Sequence, residues 1–198
     1  DLELRAGEVH ALIGENGAGK STLLKILSGI YHADTGAILI DGKKVELSSP
    51  KAARLAGIGM IHQELQQIPE LDVAQNMFLG TPLTNFGLFT NKRIMREKAR
   101  EALKLLDPSI NPAAKIRDLR VAQRQIVEIA KALLSNARVI AMDEPTSSLT
   151  PREFESLALI IESLSARGVA VIYVSHKLEE VFRVASIAMR LVFLILGA

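Results

Sequence analysis

Glu8-Val-His-Ala-Leu-Ile-Gly14-Glu-Asn-Gly-Ala-Gly19-Lys20-Ser21-Thr22 is the stretch that decides how this chain folds. Val9, Ala11 and Ile13 alternate with other residues, as in a short, mostly buried strand. From Ser21 to Leu27 the spacing changes, and Leu23, Leu24 and Leu27 recur at helical intervals. Between the two, Gly14 to Ser21 fits G-x-x-x-x-G-K-[ST] in full, in the strand-then-helix setting that this pattern requires. Glycines let the backbone turn tightly enough for successive N–H groups to point inward at an anion. The helix that follows adds the positive end of its dipole. Lys20 is placed to neutralise β- and γ-phosphate oxygens, and the Ser21 hydroxyl to meet Mg²⁺. Gly14, Glu15, Asn16, Gly17, Ala18, Gly19, Lys20, Ser21 and Thr22 are the expected phosphate-binding residues.

Working outward, Ala37-Ile-Leu-Ile40, Asp41-Gly42 and Val45 read as a hairpin, since Asp-Gly between apolar runs suits a tight turn. Ser49-Pro50 reads as an N-cap with proline at the first helical position, opening a short helix to about Ala56. Ile58 to Ile61 is the next strand. From about Pro69 to Asn136 the character changes: Asp72 to Leu79, Asn91 to Leu106 and Ala122 to Leu134 read as helices, with no strand-like run among them. Val139 to Met142 is again a buried strand, Pro151 to Arg167 an amphipathic helix, and Val169 to Val174 another buried strand. Strands alternating with helices imply an α/β fold with a mainly parallel sheet flanked by helices. The expected organisation is a core of residues 1–68 and 137–198, with an antiparallel hairpin portion near its N-terminus, interrupted by a helical subdomain over 69–136.

The composition fits that reading. With 198 residues, 48% of them hydrophobic, the chain can bury a core without a staple. It has no Cys, which excludes a disulfide framework, a thiolate metal site and a thiol nucleophile, and fits a reducing compartment. Lys plus Arg number 24 against 22 Asp plus Glu, so nothing supports a broad nucleic-acid surface and no nucleic-acid partner is expected. The apolar run Leu191 to Leu196 is far short of the ~20 residues of a membrane helix, so any membrane association is expected to run through a partner. No Met or secretory signal opens the chain, and its natural N-terminus is expected to lie upstream.

A second element supports the phosphate site. Val139-Ile-Ala-Met-Asp143-Glu144 is an apolar strand ending in two carboxylates, which packing alone does not call for, because buried unpaired carboxylates are costly. At the carboxyl edge of the sheet, Asp143 suits Mg²⁺ and Glu144 suits a general base that polarises an attacking water.

The phosphate loop, Asp143-Glu-Pro-Thr146 and Val174-Ser-His176 together resemble the ATP-binding-cassette ATPases, a phosphate-loop NTPase family. Val127-Glu-Ile-Ala-Lys-Ala-Leu133 and Asp143-Glu-Pro-Thr-Ser-Ser-Leu149 are similar to the first ATPase half of bacterial monosaccharide importers of the ribose, galactoside, arabinose and xylose type. The resemblance spans about Asp1 to Ala185. It implies ATP and Mg²⁺ as ligands, a second ATPase half in cis or trans, transmembrane permease subunits, and indirectly a periplasmic sugar-binding protein. It also implies a place at the cytoplasmic face of the bacterial cell membrane. By position in the family pattern, Gln63 in Ile61-His-Gln-Glu64 contacts Mg²⁺ or the attacking water, and His176 contacts the γ-phosphate. Gln63 and the stretch Glu70 to Gly80 are the expected coupling surface towards the membrane subunits. His10, His32, His62 and Tyr31 match no such position and are expected to be structural.

Two departures from the family pattern bear on activity. The signature Leu-Ser-Gly-Gly-Gln appears as Leu119-Arg-Val-Ala-Gln123, so Arg120 stands for a serine that contacts the opposite ATP, and Ala122 for a common glycine. Arg120 brings a charge that either pairs with phosphate or clashes with it. A nucleotide-binding regulatory half with weak hydrolysis is therefore the alternative to an ATPase that powers sugar import. Thr150 stands where most cassette ATPases place an aspartate. Beyond Ala185 the family's usual continuation is replaced by an apolar tail, read either as a strand completing the sheet or as an exposed segment. A small-molecule kinase shares the phosphate loop but leaves Glu144 and His176 unexplained. A DNA-repair ATPase needs a coiled coil far longer than the interval from Lys20 to Asp143.

Overall fold

The computed structural model describes residues 2–15, 17–80, 84–85, 89–185 and 189–193. Val9–Ile13 forms β1, and Lys20–Leu27 forms α1 directly after the glycine-rich turn. The hairpin follows as β2, Ile38–Ile40, and β3, Lys43–Val45, paired antiparallel with Ile38 opposite Val45. Asp41 and Gly42 both take positive φ (51° and 73°), the backbone that a two-residue turn of matching twist demands. Ser49 caps α2, Pro50–Leu55, by accepting from Ala52 N at 3.2 Å. Then comes β4, Ile58–Ile61.

The stretch up to residue 136 is mainly helical: α3 is Val73–Met77, α4 Lys92–Lys104 and α5 Val121–Leu134. It is not free of strands. Thr84–Asn85 (β5) and Phe89–Thr90 (β6) form a two-residue antiparallel pair, too short for a hydrophobic periodicity to announce. The expected helix starts Asp72 and Asn91 are N-caps rather than first helical residues. After it run β7, Val139–Asp143; α6, Pro151–Ala166; β8, Ala170–Val174; and α7, Leu178–Ala185. The apolar tail contributes β9, Met189–Phe193, so it completes the sheet.

The main sheet has the order β4-β7-β8-β1-β9, and every neighbouring pair in it is parallel. Burial on both faces explains why its strands read as continuous apolar runs. On one face Ile140, Met142 and Val171 join Met77, Ala99 and Val127 from the helical stretch in one continuous cluster. On the other, Leu12, Ala141 and Ile172 pack with Leu24 of α1. Among the described residues no helix is long and apolar enough to cross a membrane.

Candidate functional site: a phosphate cradle at the sheet edge

Parallel strands all present their carboxyl ends at one edge, and the turn after β1 opens there beside the ends of β7 and β8. Gly17 and Gly19 hold the turn at φ of 90° and 85°, backbone that side chains with a Cβ adopt only at a cost. Gly19 is the N-cap of α1, and among the described residues no side chain accepts from the first-turn N–H groups of that helix. Those donors are available to an anion. Lys20 is buried, and its Nζ donates to Gly14 O at 2.6 Å and Glu15 O at 2.9 Å, which holds the ammonium inside the turn. Ser21 and Thr22 are exposed beside it. Asn16 lies outside the described residues.

Asp143 ends β7 half-buried, with no hydrogen-bond partner for its carboxylate among the described residues. Burial, and then the charge of Glu144, push its carboxyl above the ordinary range, while His62, Lys20 and Lys25 pull the other way. His62, expected to be structural, thus belongs to the electrostatic surroundings of this carboxylate. A cation beside Asp143 would relieve the same imbalance. Among the described residues no group of three or more His, Asp or Glu could hold a metal. A single carboxylate with hydroxyl, amide and phosphate oxygens suits Mg²⁺, which takes few protein ligands and keeps oxygen donors from substrate and water.

Glu144 has φ of 44°, left-handed backbone in a non-glycine residue, and its N–H donates to Val174 O at 3.0 Å. The bend turns the side chain towards the next strand end, where His176 Nδ1 lies 3.0 Å from Glu144 Oε1. Glu144 is largely enclosed at 22% exposure, whereas His176 is 60% exposed. The structure therefore brings together Lys20, Asp143, Glu144 and His176. Gln63 is exposed just past β4, the sheet edge neighbouring β7.

Most of the expected coupling stretch is not surface. Asp72, Val73, Ala74, Asn76, Met77 and Phe78 are buried, because α3 packs into the core, which leaves Glu70 and Gly80 exposed. Of the residues expected to be structural, His10 is buried with Nε2 2.9 Å from Glu8 Oε2. Tyr31 lies under Lys25 Nζ at 5.1 Å from its ring centre. Arg120 is the N-cap of α5 and is exposed, and its positive charge helps to lower the Glu153 carboxyl, after the larger effect of hydrogen bonds from Thr150.

Sequence reasoning missed Glu180. It is buried in α7 and accepts from Thr146 Oγ1 at 2.6 Å, Tyr173 OH at 2.9 Å and Ser175 Oγ at 3.1 Å. Burial alone would raise its carboxyl, but the bonds from Thr146, Lys177, Tyr173 and Ser175 outweigh it and leave the group below the ordinary range. The available signal was an acidic residue followed by Val181 and Val184 at helical spacing after the β8 strand end.

A parallel sheet with an anion-binding turn running into a helix, and acidic residues at the adjoining strand end, defines a phosphate-loop nucleoside-triphosphatase fold. A family profile described as "ABC transporter" matches residues 1–147, and the chain belongs to that family. It is 53% identical over 185 residues to a ribose import ATP-binding protein of Chromobacterium violaceum and 51% identical over 185 residues to an arabinose import ATP-binding protein of Burkholderia lata. Each match covers 93% of this chain and 37% of the relative, so the chain spans little more than a third of either protein's length. A dimeric ATP-binding cassette in a post-hydrolysis state with ADP and Pi superposes with a TM-score of 0.75 at 25% identity, covering 97% of this chain and 83% of that one.

Proposed function

We propose that this chain is an ATP-binding and hydrolysing cassette that powers import of a sugar through a membrane transporter. The observation that carries the reading is the convergence at one sheet edge of a buried Lys20, a helix N-terminus and an Asp143 carboxylate with no side-chain partner among the described residues, and the Glu144–His176 pair. The turn amides and Lys20 bind the terminal phosphates of ATP, with Lys20 exchanging two loop carbonyls for phosphate oxygens. Glu144 accepts a proton from the attacking water, and His176 orients it and faces the γ-phosphate. Ser21, Gln63 and Asp143 would hold Mg²⁺, which when bound supplies positive charge for the phosphate oxygens.

The relatives' names speak of ribose and arabinose import, and the superposed cassette is a dimer. By analogy this chain pairs head-to-tail with a second ATPase half, so that each ATP lies between one phosphate turn and the opposite Leu119–Gln123 segment. Residues 1–68 and 137–198 act as the ATPase core and 69–136 as the inserted helical subdomain. That subdomain, with Gln63, engages transmembrane permease subunits at the cytoplasmic face of the membrane, and a periplasmic sugar-binding protein acts through them. ATP favours the closed arrangement only through contacts made there, so hydrolysis reverses the bias. The weak-hydrolysis reading rests on the altered signature segment, Arg120 and Ala122, and is not favoured by the relatives.

Two variants test this reading. Lys20→Ala should weaken ATP binding about 100-fold, or roughly 2.7 kcal/mol, by titration calorimetry. Glu144→Gln should keep ATP affinity and lose turnover by about 10²–10⁴-fold. A Lys20→Ala protein with undiminished affinity would overturn the phosphate site, and a Glu144→Gln protein with normal turnover would overturn the hydrolytic role.

A further inference from the structure

The ends of β7 and β8 carry Glu144 and His176, and neither residue is fixed by its own strand alone. Glu144 sits on left-handed backbone, and His176 is exposed, two residues beyond the end of β8. Below both, Glu180 Oε2 accepts from Thr146, two residues after Glu144, from Ser175, immediately before His176, and from Tyr173. Glu180 Oε1 pairs with Lys177 Nζ at 2.9 Å, and the Lys177 N–H donates to Ser175 Oγ at 3.1 Å. The carboxylate is thus bonded to the loop that leaves β7 and to the turn that leaves β8.

We propose, resting on the hydrolytic reading above, that Glu180 is a positioning residue: it ties the Glu144 loop to the His176 turn and so fixes their 3.0 Å contact. A buried carboxylate is costly unless fully bonded, and here hydroxyls and an ammonium satisfy it. Burial, and then the charge of Glu180, keep the Tyr173 hydroxyl protonated, so it remains a donor. Val181 and Val184 show that this side of α7 can be closed by apolar residues. An ionised group in their midst earns its place through direction, since four donors converging on one carboxylate hold two backbone segments in one geometry. Left-handed backbone at Glu144 persists only where surroundings over-determine it, and the Thr146 bond is one such restraint.

The test uses the assembled transporter with Glu180→Gln, Thr146→Val and Thr146→Ser. The amide of Glu180→Gln has one oxygen: turned to the hydroxyls it sets its NH₂ against the Lys177 ammonium, and turned to Lys177 it leaves Thr146, Tyr173 and Ser175 without their acceptor. We expect kcat to fall about 100-fold, as for a small misplacement of reacting groups, with KM for ATP unchanged within about two-fold. Thr146→Val should show the same split, and Thr146→Ser, which keeps the hydroxyl, should recover most of the loss. Wild-type kcat in Glu180→Gln, or a rise in KM matching the fall in kcat, would overturn the proposal. If Glu180→Gln fails to fold, the Thr146 pair decides: equal kcat in the Val and Ser forms overturns it. A wild-type assembly that neither binds nor hydrolyses ATP would sink the proposed function instead. Hydrogen exchange then decides the bracing alone, since Glu180→Gln must speed exchange at the Ser147 and Lys177 amides, and unchanged exchange refutes it.

Discussion

Six of the seven described α-helices have an assigned N-cap residue, and their starts fall into two groups. Four are closed by a side chain: Ser49 accepts from Ala52 N at 3.2 Å, Asp72 from Gln75 N at 2.8 Å, Asn91 from Ile94 N at 3.1 Å and Thr150 from Glu153 N at 3.3 Å. Two lack a capping side chain: α1 begins after Gly19, and α5 after Arg120, which has no acceptor atom, although the Arg120 N–H itself donates to Gln123 Oε1 at 3.2 Å. In the proposed function these two are the ends that meet nucleotide, α1 within its own half and α5 across the pair. A closed start has spent its N–H groups on structure, whereas an open one keeps them for an anion. In the proposed function the uncapped ends are therefore binding surfaces, and the closed ones hold the scaffold.

Closing the first open end should have the largest effect. Gly19→Asp places an accepting carboxylate at the start of α1, and ATP binding should fall by more than about 100-fold by calorimetry, since like charge is added to the anion site. Opening a closed end should act on stability instead. Asp72→Ala removes a capping box with Gln75 and leaves Arg96 without the carboxylate that it meets at 2.7 Å. Denaturant unfolding should show a loss of about 2 kcal/mol, with nucleotide affinity unmoved. Arg120→Ser supplies the acceptor that α5 lacks and should raise stability by about 1 kcal/mol in the same measurement. No gain would mean that the N-terminus of α5 is already satisfied.

The smallest effect is one of pH, and it sets the bonded Glu180 against the unpartnered Asp143. Glu180 titrates below the ordinary 4.5 in the folded chain, so it stabilises above that value and loses this as pH falls through its folded value. Glu180→Gln should melt lower than wild type at pH 7, with the gap closing in acid below about 4.5. Asp143 titrates above the ordinary 3.8, so its ionised form weighs against folding at neutral pH and is relieved as pH falls. Asp143→Asn should melt higher than wild type at pH 7 without nucleotide, the difference vanishing towards pH 3.8. Parallel slopes for the two variants would break the contrast.

Much of the fold was legible because its signals are local. Asp41-Gly42 announces its turn, Ser49-Pro50 its helix start, and the glycine turn its strand and helix, each within a few residues. The Asp143-Glu144 strand end was legible because carboxylates close an otherwise apolar run. The Glu180 cluster was not, since it gathers Thr146, Tyr173 and Ser175 from two separate strand ends, a juxtaposition that only the parallel register of β7 and β8 creates. The Asp72–Arg96 pair is hidden because it joins the start of α3 to α4, 24 residues on, and only their packing brings the two together. Burial of α3 was misjudged although Val73, Ala74, Met77 and Phe78 share one helical face; attention to that stripe would have taken it off the surface.

Residue 144 asks for glycine by its torsion angle and, in the proposed function, for an acid by its task. A search for heat-resistant variants that ignored turnover would favour replacing it, and would favour an amide at 143 as well. Thermal hardening and the proposed hydrolysis thus pull in opposite directions at adjacent positions, and a library aimed at robustness should leave both untouched.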